Sequence, residues 1–168
     1  MKLAKNLERL GTESAFAILA EAKNGLKGAK IKFPSISVGA TENALIAAFK
    51  AKGKTILQNC AIEPEIKDLV NFINCIGGKI KWIGKRTLSV IGVKKFKENE
   101  YSIMPDRIEA GTYLIAAAVT EGNLKISGIN PKIIRTEIEI LKKIGIKIKS
   151  EKDSIKISGT KNIKNINL

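Results

Sequence analysis

The stretch SVGATENALIAAFKAKGKTILQN, residues Ser37–Asn59, is matched later in the chain by DRIEAGTYLIAAAVTEGNLKISG, residues Asp106–Gly128. Each copy has the pattern of a helix containing an Ala-Ala pair, then a glycine, then an alternating strand. The match continues, because NFINCIGGKIKW from Asn71 corresponds to EILKKIGIKIKS from Glu139. The chain therefore contains an internal repeat with a period of about 67 to 69 residues.

Each full repeat is predicted to run strand, helix, strand, helix, strand, strand. In the first repeat these elements are Lys30–Phe33, Gly39–Ala51, Lys54–Gln58, a helix from Pro64 to the Gly77-Gly78 pair, Lys79–Trp82 and Thr87–Ile91. The second repeat is predicted to follow the same order from Tyr101, with a helix from Pro131 to Gly145 and strands Lys147–Lys149 and Ile155–Ser158. The stretch NLERLGTESAFAILAEAKNGLKG from Asn6 resembles the back half of a repeat, with Gly11 in the place of Gly77. The pattern predicts an α/β protein built of βαβαββ units.

The polar segment VKKFKENE, Val93–Glu100, is the predicted linker between the repeats. Residues 1–100 would then hold a half repeat and one full repeat of a first domain, and residues 101–168 one repeat of a second. A single βαβαββ unit cannot bury both its helices and its sheet face, so several such units must pack together. We therefore expect uncovered apolar faces on this chain.

The composition is that of a globular protein with a large excess of lysine. The formal net charge is +14 and the pI is about 9.8. Only four of the basic residues are arginines, the lysines are spread over nearly every segment, and aromatic residues are few. We interpret this excess mainly as solvated surface, so nucleic-acid binding is not the favoured function, although a positive cleft for a small anion remains compatible with it. No apolar run approaches a membrane span, so no membrane partner is predicted, and the expected location is the cytoplasm.

The two cysteines, Cys60 and Cys75, lack the spacing of a metal site, and the chain has no histidine. Zinc sites and Ser/His/Asp or Cys/His catalysis therefore lose their usual ligands and bases. Both thiols are predicted to be buried and structural.

Three strings carry a family resemblance: SVGATENALIAA, NCAIEPEIKDLVNFI and MPDRIEAGTYLIAAA. In order and spacing they resemble the middle of UDP-N-acetylglucosamine enolpyruvyl transferases, and the likeness spans essentially the whole chain. The resemblance implies an inside-out α/β barrel fold, here incomplete, in which two domains of three βαβαββ units enclose a substrate cleft. It implies transfer of the enolpyruvyl group of phosphoenolpyruvate to the 3-hydroxyl of UDP-N-acetylglucosamine, with no metal or organic cofactor.

The resemblance assigns uridine-nucleotide contacts to five consecutive residues: Ser35, Ile36, Ser37, Val38 and Gly39. A helix N-terminus with free N–H groups, next to a glycine that allows close approach, suits a polar or anionic ligand. The alternative is that Ser37 is simply a helix N-cap and Gly39 a turn residue.

The resemblance also places Glu63 and Glu65 in the cleft, where they would organise basic side chains. Taken alone, they are carboxylates at a helix start, where the macrodipole favours them. The resemblance also implies that Asp106 and Arg107 lie where the chain crosses between the domains and faces the cleft, and that they form ion pairs between domains. The alternative is that they are a helix cap and a surface cation. Ile62 stands where the family commonly has arginine, so one charge pair is absent.

No catalytic residue is predicted within this chain. The family's cysteine-bearing loop, its phosphoenolpyruvate-binding arginines and its catalytic aspartate would lie outside it, and neither Cys60 nor Cys75 occupies the loop position. The chain alone is expected to be inactive, and separately encoded segments could complete it. Two alternatives stay open: a non-catalytic basic module that binds nucleic acid or another anion, and a fragment of the sister enzyme acting on shikimate 3-phosphate.

Overall fold

The helices and strands follow the repeat. The computed structural model describes residues 24–165, and the chain divides after Tyr101 into a first and a second compact unit. In the first unit the elements are β1 Lys30–Lys32, α1 Val38–Lys50, β2 Lys54–Gln58, α2 Pro64–Cys75, β3 Lys79–Gly84 and β4 Thr87–Ile91. In the second they are α3 Arg107–Val119, β5 Asn123–Ser127, a 3₁₀ turn Pro131–Ile134, α4 Arg135–Lys143, β6 Lys147–Ser150 and β7 Ser154–Ser158. The half repeat predicted from Asn6 lies almost entirely outside the described residues.

The first unit has two layers, a four-stranded sheet and a pair of helices. The strand order is β1-β2-β4-β3; β1 and β2 are parallel, and the other two pairings are antiparallel. Strand residues alternate, so that Leu57, Leu88 and Val90 point towards α1 and α2 and are fully buried. Leu45 of α1 and Ile66 of α2 complete this core from the helical side.

The second unit has a three-stranded antiparallel sheet in the order β5-β7-β6, packed against α3 and α4. The prediction that this unit opens with a strand from Tyr101 is wrong, since residues 101–106 form no strand. Pro105 has no N–H to donate to a strand ladder, and Asp106 is already the N-cap of α3. Too few residues therefore remain between Tyr101 and the helix for a strand. The helix predicted from Pro131 starts as a 3₁₀ turn capped by Asn130 and becomes α-helical at Arg135.

The polar segment after β4, the predicted linker, packs against the first unit. The ring of Phe96 lies 5.3 Å from that of Phe49, and the Lys97 N–H donates to the carbonyl of Ile76 at 2.9 Å. At its end the Tyr101 hydroxyl donates to Asp68 Oδ1 at 2.8 Å. Burial, followed by the hydrogen bond to Asp68, raises the pKa of Tyr101 to about 12. We call residues 93–101 the strap.

Each repeat leaves one stripe of its first helix exposed. On α1 the stripe is Asn43, Ile46, Ala47 and Lys50, and on α3 it is Thr112, Ile115, Ala116 and Val119, each 69 residues later (112 − 43 = 69). The spacing of three and four residues places the members of each stripe on one helical face. Within its own unit each stripe stays exposed, although Lys50 Nζ lies 4.3 Å from the centroid of the Phe96 ring. This matches the expectation that one repeat cannot bury all its faces. No described helix combines the length and the apolar character that crossing a membrane would require.

Candidate functional site

The carboxyl ends of the two parallel strands define the candidate site in the first unit. The chain leaves β1 into residues 33–37 and then α1, and it leaves β2 into residues 59–63 and then α2. Asn59 has a φ of 61°, and its side-chain amide donates to the carbonyl of Phe33 at 3.0 Å, which joins the two loops. In α/β sheets, ligands bind outside the carboxyl ends of parallel strands, so these two loops are the favoured place for one.

Ser37 and Gly39 shape the start of α1. The Ser37 hydroxyl accepts a hydrogen bond from the Ala40 N–H at 3.2 Å, so Ser37 is the N-cap. A Cβ added to Gly39 would meet no heavy atom within 4 Å, and Ser35, Ile36 and Gly39 are exposed. The first turn of this helix therefore presents accessible backbone amides to the solvent.

Thr41 connects this helix start to the neighbouring loop. Its side chain is fully buried; the hydroxyl donates to the Ser37 carbonyl at 2.7 Å and accepts from the Ala61 N–H at 3.0 Å. One hydroxyl thus fixes residues 35–39 relative to the segment that precedes Glu63. Thr41 was not among the residues predicted from the sequence; the signal was a hydroxyl residue at a core position of an otherwise apolar helix face.

The second loop carries the two predicted glutamates. Glu63 is the N-cap of α2, and its Oε2 accepts from the Ile62 N–H at 2.7 Å, while Glu65 is half-buried in the first turn. Arg86, from the turn between β3 and β4, donates to the carbonyl of Cys60 at 3.0 Å. Sequence reasoning did not select Arg86, because 26 residues separate the two partners. Arg86 thus brings a guanidinium to the loop in which Ile62 stands where the family commonly has an arginine.

Cys60 is buried within this loop, and burial raises the pKa of its thiol. A neutral, enclosed thiol is a poor nucleophile, which fits a structural role. The prediction that Cys75 is buried is wrong, because that residue is only half-buried, with its Sγ 3.6 Å from the carbonyl of Glu100 in the strap. Cys75 is the last residue of α2, and at this helix end solvent still reaches the side chain.

In the second unit, Asp106 and Arg107 are neighbours with different partners. Asp106 Oδ1 accepts from the N–H groups of Ile108 at 2.7 Å and Glu109 at 3.2 Å, which caps α3. Arg107 Nη1 lies 3.6 Å from Glu137 Oε1, and their side chains are 19% and 34% exposed. An open pocket of about 260 Å³ is lined by Asp106 together with Pro105, Glu109, Tyr113 and Ser127.

The structure thus brings residues 35–39, Glu63 and Glu65 together at the carboxyl ends of β1 and β2. It places Asp106 and Arg107 in the other unit. No group of three or more His, Cys, Asp or Glu side chains suited to a metal occurs within residues 24–165.

The chain matches a family model described as EPSP synthase (3-phosphoshikimate 1-carboxyvinyltransferase) over residues 2–168. A UDP-N-acetylglucosamine 1-carboxyvinyltransferase of Pelagibacter ubique (strain HTCC1062) is 68% identical over 149 residues, which are 89% of this chain and 36% of the relative. One of that name from Endomicrobium trichonymphae is 46% identical over 88% of this chain and 35% of its own length. The chain therefore spans about a third of these relatives. They confirm the resemblance predicted from the SVGAT and EPEI strings.

Solved structures agree on the fold. The enolpyruvyl transferase NikO from Streptomyces tendae aligns with a TM-score of 0.64 at 23% identity, over 73% of this chain and 30% of that protein. An EPSP synthase from Acinetobacter baumannii gives 0.61 at 22% identity, over 86% and 34%. The predicted α/β fold of enolpyruvyl transferases is thus confirmed, in part of its extent. Because the family model accounts for residues 2–168, this chain belongs to the EPSP synthase (3-phosphoshikimate 1-carboxyvinyltransferase) family.

Proposed function

We propose that this chain supplies part of the nucleotide-sugar site of an enzyme that transfers enolpyruvyl from phosphoenolpyruvate to UDP-N-acetylglucosamine. The observation that carries the proposal is the pairing of two helix-start loops at the carboxyl ends of parallel strands, held by Thr41. The names of the Pelagibacter and Endomicrobium relatives support the substrate. The site residues would be Ser35, Ile36, Ser37, Val38 and Gly39.

The chemistry of that loop suits a uridine nucleotide. The first N–H groups of an α-helix have no intrahelical acceptor, and the macrodipole places partial positive charge there. Gly39 leaves space for a ligand to approach the backbone closely. A uracil carbonyl or a diphosphate oxygen can accept hydrogen bonds from such amides.

Glu63 and Glu65, on the adjacent loop, would organise basic side chains at the edge of the site, and Arg86 is a basic group already fixed to that loop. Asp106 and Arg107, in the second unit, would also organise charged groups, and the ion pair with Glu137 orients the Arg107 guanidinium. Guanidinium groups held in place in this way stabilise anionic substrates without reorganisation during the reaction.

The complete reaction would proceed in the cytoplasm as a step of peptidoglycan precursor synthesis, with release of phosphate. The chain matches 36% of the Pelagibacter relative, and its own share is substrate binding and scaffold. We infer that the 168-residue chain alone does not turn over, and that the remaining segments of such a relative, expressed together with it, restore phosphate release. Activity of the chain alone would contradict this part of the proposal.

The binding site is tested by saturation-transfer NMR of the full chain with UDP-N-acetylglucosamine, with shikimate 3-phosphate as a second ligand. Gly39→Ala and Gly111→Ala form a matched pair, since each adds one methyl to a helix in open space. Gly39→Ala is expected to weaken binding of the nucleotide sugar, and Gly111→Ala to leave it unchanged. Binding of shikimate 3-phosphate alone would favour the sister activity, and equal effects of both variants would place the ligand elsewhere.

A further inference from the structure

One face of the first sheet carries only positive charge. Alternate residues of β1, β2 and β3 point away from the helices, and five of them are exposed lysines: Lys30, Lys32, Lys54, Lys79 and Lys81. The pairing register places Lys54 and Lys79 on either side of Ile91, and Lys30 next to Ile56. We call these five residues the lysine face. Successive outward residues on a strand lie about 7 Å apart, and neighbouring strands about 4.8 Å apart, so the lysines share one small, continuous surface.

The acidic residues of this unit lie elsewhere. Within residues 24–101 every Asp and Glu belongs to a helix, the cap of a helix or the strap: Glu42, Glu63, Glu65, Asp68, Glu98 and Glu100. None lies on a strand. The net positive charge of this unit is therefore concentrated on its sheet side, although lysines are spread evenly along the sequence.

The second sheet shows the same arrangement at a cost to its own stability. Its register sets Lys125 directly opposite Lys156, and Lys156 directly opposite Lys149. Like charges at directly opposed positions destabilise a sheet. Glu151, in the turn between β6 and β7, relieves this in part, because its Oε1 lies 3.2 Å from Lys156 Nζ and 4.0 Å from Lys149 Nζ. The seven described strands together hold nine lysines and no acidic residue.

The residues between the lysines indicate which kind of anion would fit. Ile56 is the register partner of Lys30, and Ile91 is the partner of both Lys54 and Lys79, so both isoleucines lie on the same side of the sheet as the lysine face. Ile56 is half-buried and Ile91 is 45% exposed. No outward position on these four strands holds an arginine or an aromatic ring, which are the groups that grip and stack on nucleic acids. Lysine ammonium groups with interspersed aliphatic side chains instead suit an anionic bilayer, where the charges meet the surface potential and the aliphatic groups reach the headgroup boundary.

We propose that the lysine face of the first sheet docks the protein on the surface of an anionic lipid bilayer. The contact is peripheral and reversible, since it depends on charge attraction and on a few aliphatic side chains. The bilayer would contact the side of the sheet opposite α1 and α2. The candidate ligand site at the strand ends would remain accessible. Each lysine near such a surface contributes about fivefold to the partition coefficient.

The test is co-sedimentation of the full 168-residue chain with two kinds of vesicle, pure phosphatidylcholine and an equimolar mixture with phosphatidylglycerol. Binding is expected only to the anionic vesicles, at about 0.1 M salt, and is expected to disappear at about 1 M, where the screening length falls to about 3 Å. Lys54→Gln/Lys81→Gln is expected to lower the partition coefficient by about 25-fold. The matched control Lys67→Gln/Lys95→Gln removes the same charge from exposed positions on α2 and the strap, and is expected to leave binding unchanged.

Circular dichroism of both variants establishes that each is folded, and neither double substitution removes a buried group or a hydrogen bond of the fold. Equal losses in the two double variants would mean that overall charge alone drives binding, which would overturn the proposal. So would equal binding to both kinds of vesicle. Retention of a labelled single-stranded oligonucleotide that depends on Lys54 and Lys81, without vesicle binding, would assign the lysine face to nucleic acid instead.

Discussion

Replacing Thr41 by valine tests the bridge between the two loops of the candidate site. Valine keeps the volume and the β-branch of threonine but removes the hydroxyl, and the fully buried Ala61 then loses the acceptor of its N–H. A buried donor without a partner costs about 1–3 kcal/mol. The Ser37 carbonyl is less affected, because it still accepts from the Thr41 N–H at 3.1 Å. We therefore expect Thr41→Val to lower the free energy of unfolding by about 2 kcal/mol.

Thr41→Ser is the matched control, because it keeps the hydroxyl and removes one methyl, at a cost of about 0.8 kcal/mol. Urea unfolding can be followed by the fluorescence of Trp82, the single tryptophan of the chain, which packs against the same core. With a slope of about 1–3 kcal/mol per molar urea, the valine variant should unfold at a midpoint about 1 M lower than the parent. Equal free energies of unfolding for the valine and serine variants would refute the reasoning, because the hydrogen bonds of the Thr41 hydroxyl would then contribute no more than the packing of its methyl group.

Three further predictions concern glycine contacts, the tyrosine of the strap and the two thiols. In Gly92→Ala the added Cβ would collide with the Ala51 carbonyl after α1, so the free energy of unfolding in urea titrations should fall by about 1–3 kcal/mol. In Gly111→Ala the free energy of unfolding should rise by about 0.5–1 kcal/mol through helix propensity. A more stable Gly92→Ala variant and a less stable Gly111→Ala variant would contradict these contacts. Because the folded state raises the pKa of Tyr101 from 10.0 to about 12, the parent should lose stability as pH rises through that interval, and Tyr101→Phe should lose less. Parallel pH profiles from thermal melts would argue against this. Under native conditions iodoacetamide should alkylate Cys75 and spare Cys60, as read by mass spectrometry of peptides; rapid labelling of both would mean that the core opens.

Local pattern was sufficient for most of the elements. The alternation of KTILQ predicted β2 with its observed ends, Lys54–Gln58, and the alanine-rich stretch predicted α1 to within one residue of Val38–Lys50. Each of these elements is specified by side chains a few positions apart. The missing first strand of the second unit shows the limit of repeat arithmetic, because Pro105 changes the backbone while the surrounding pattern persists.

The interactions that shape the candidate site were beyond sequence reasoning for a different reason. Thr41 meets Ala61 across 20 residues and Arg86 meets Cys60 across 26, and both contacts depend on the sheet order β1-β2-β4-β3. No local pattern encodes that order. The resemblance to a family selected the loops as candidates, but it could not indicate which hydroxyl or guanidinium holds them in place.

The strap has a practical consequence for anyone who divides this protein into separately expressed pieces. Its polar sequence, VKKFKENE, is typical of a linker, so Val93 would be a natural place to end an expressed fragment. A piece ending there would lose the contacts of Phe96 with Phe49 and of Tyr101 with Phe72 and Asp68, which would expose an aromatic ring on each of α1 and α2. Cutting after Tyr101 keeps these contacts within one polypeptide. A segment that its composition marks as a polar linker is thus part of the first folded unit. Fragment boundaries chosen from composition alone would remove part of the packing of that unit.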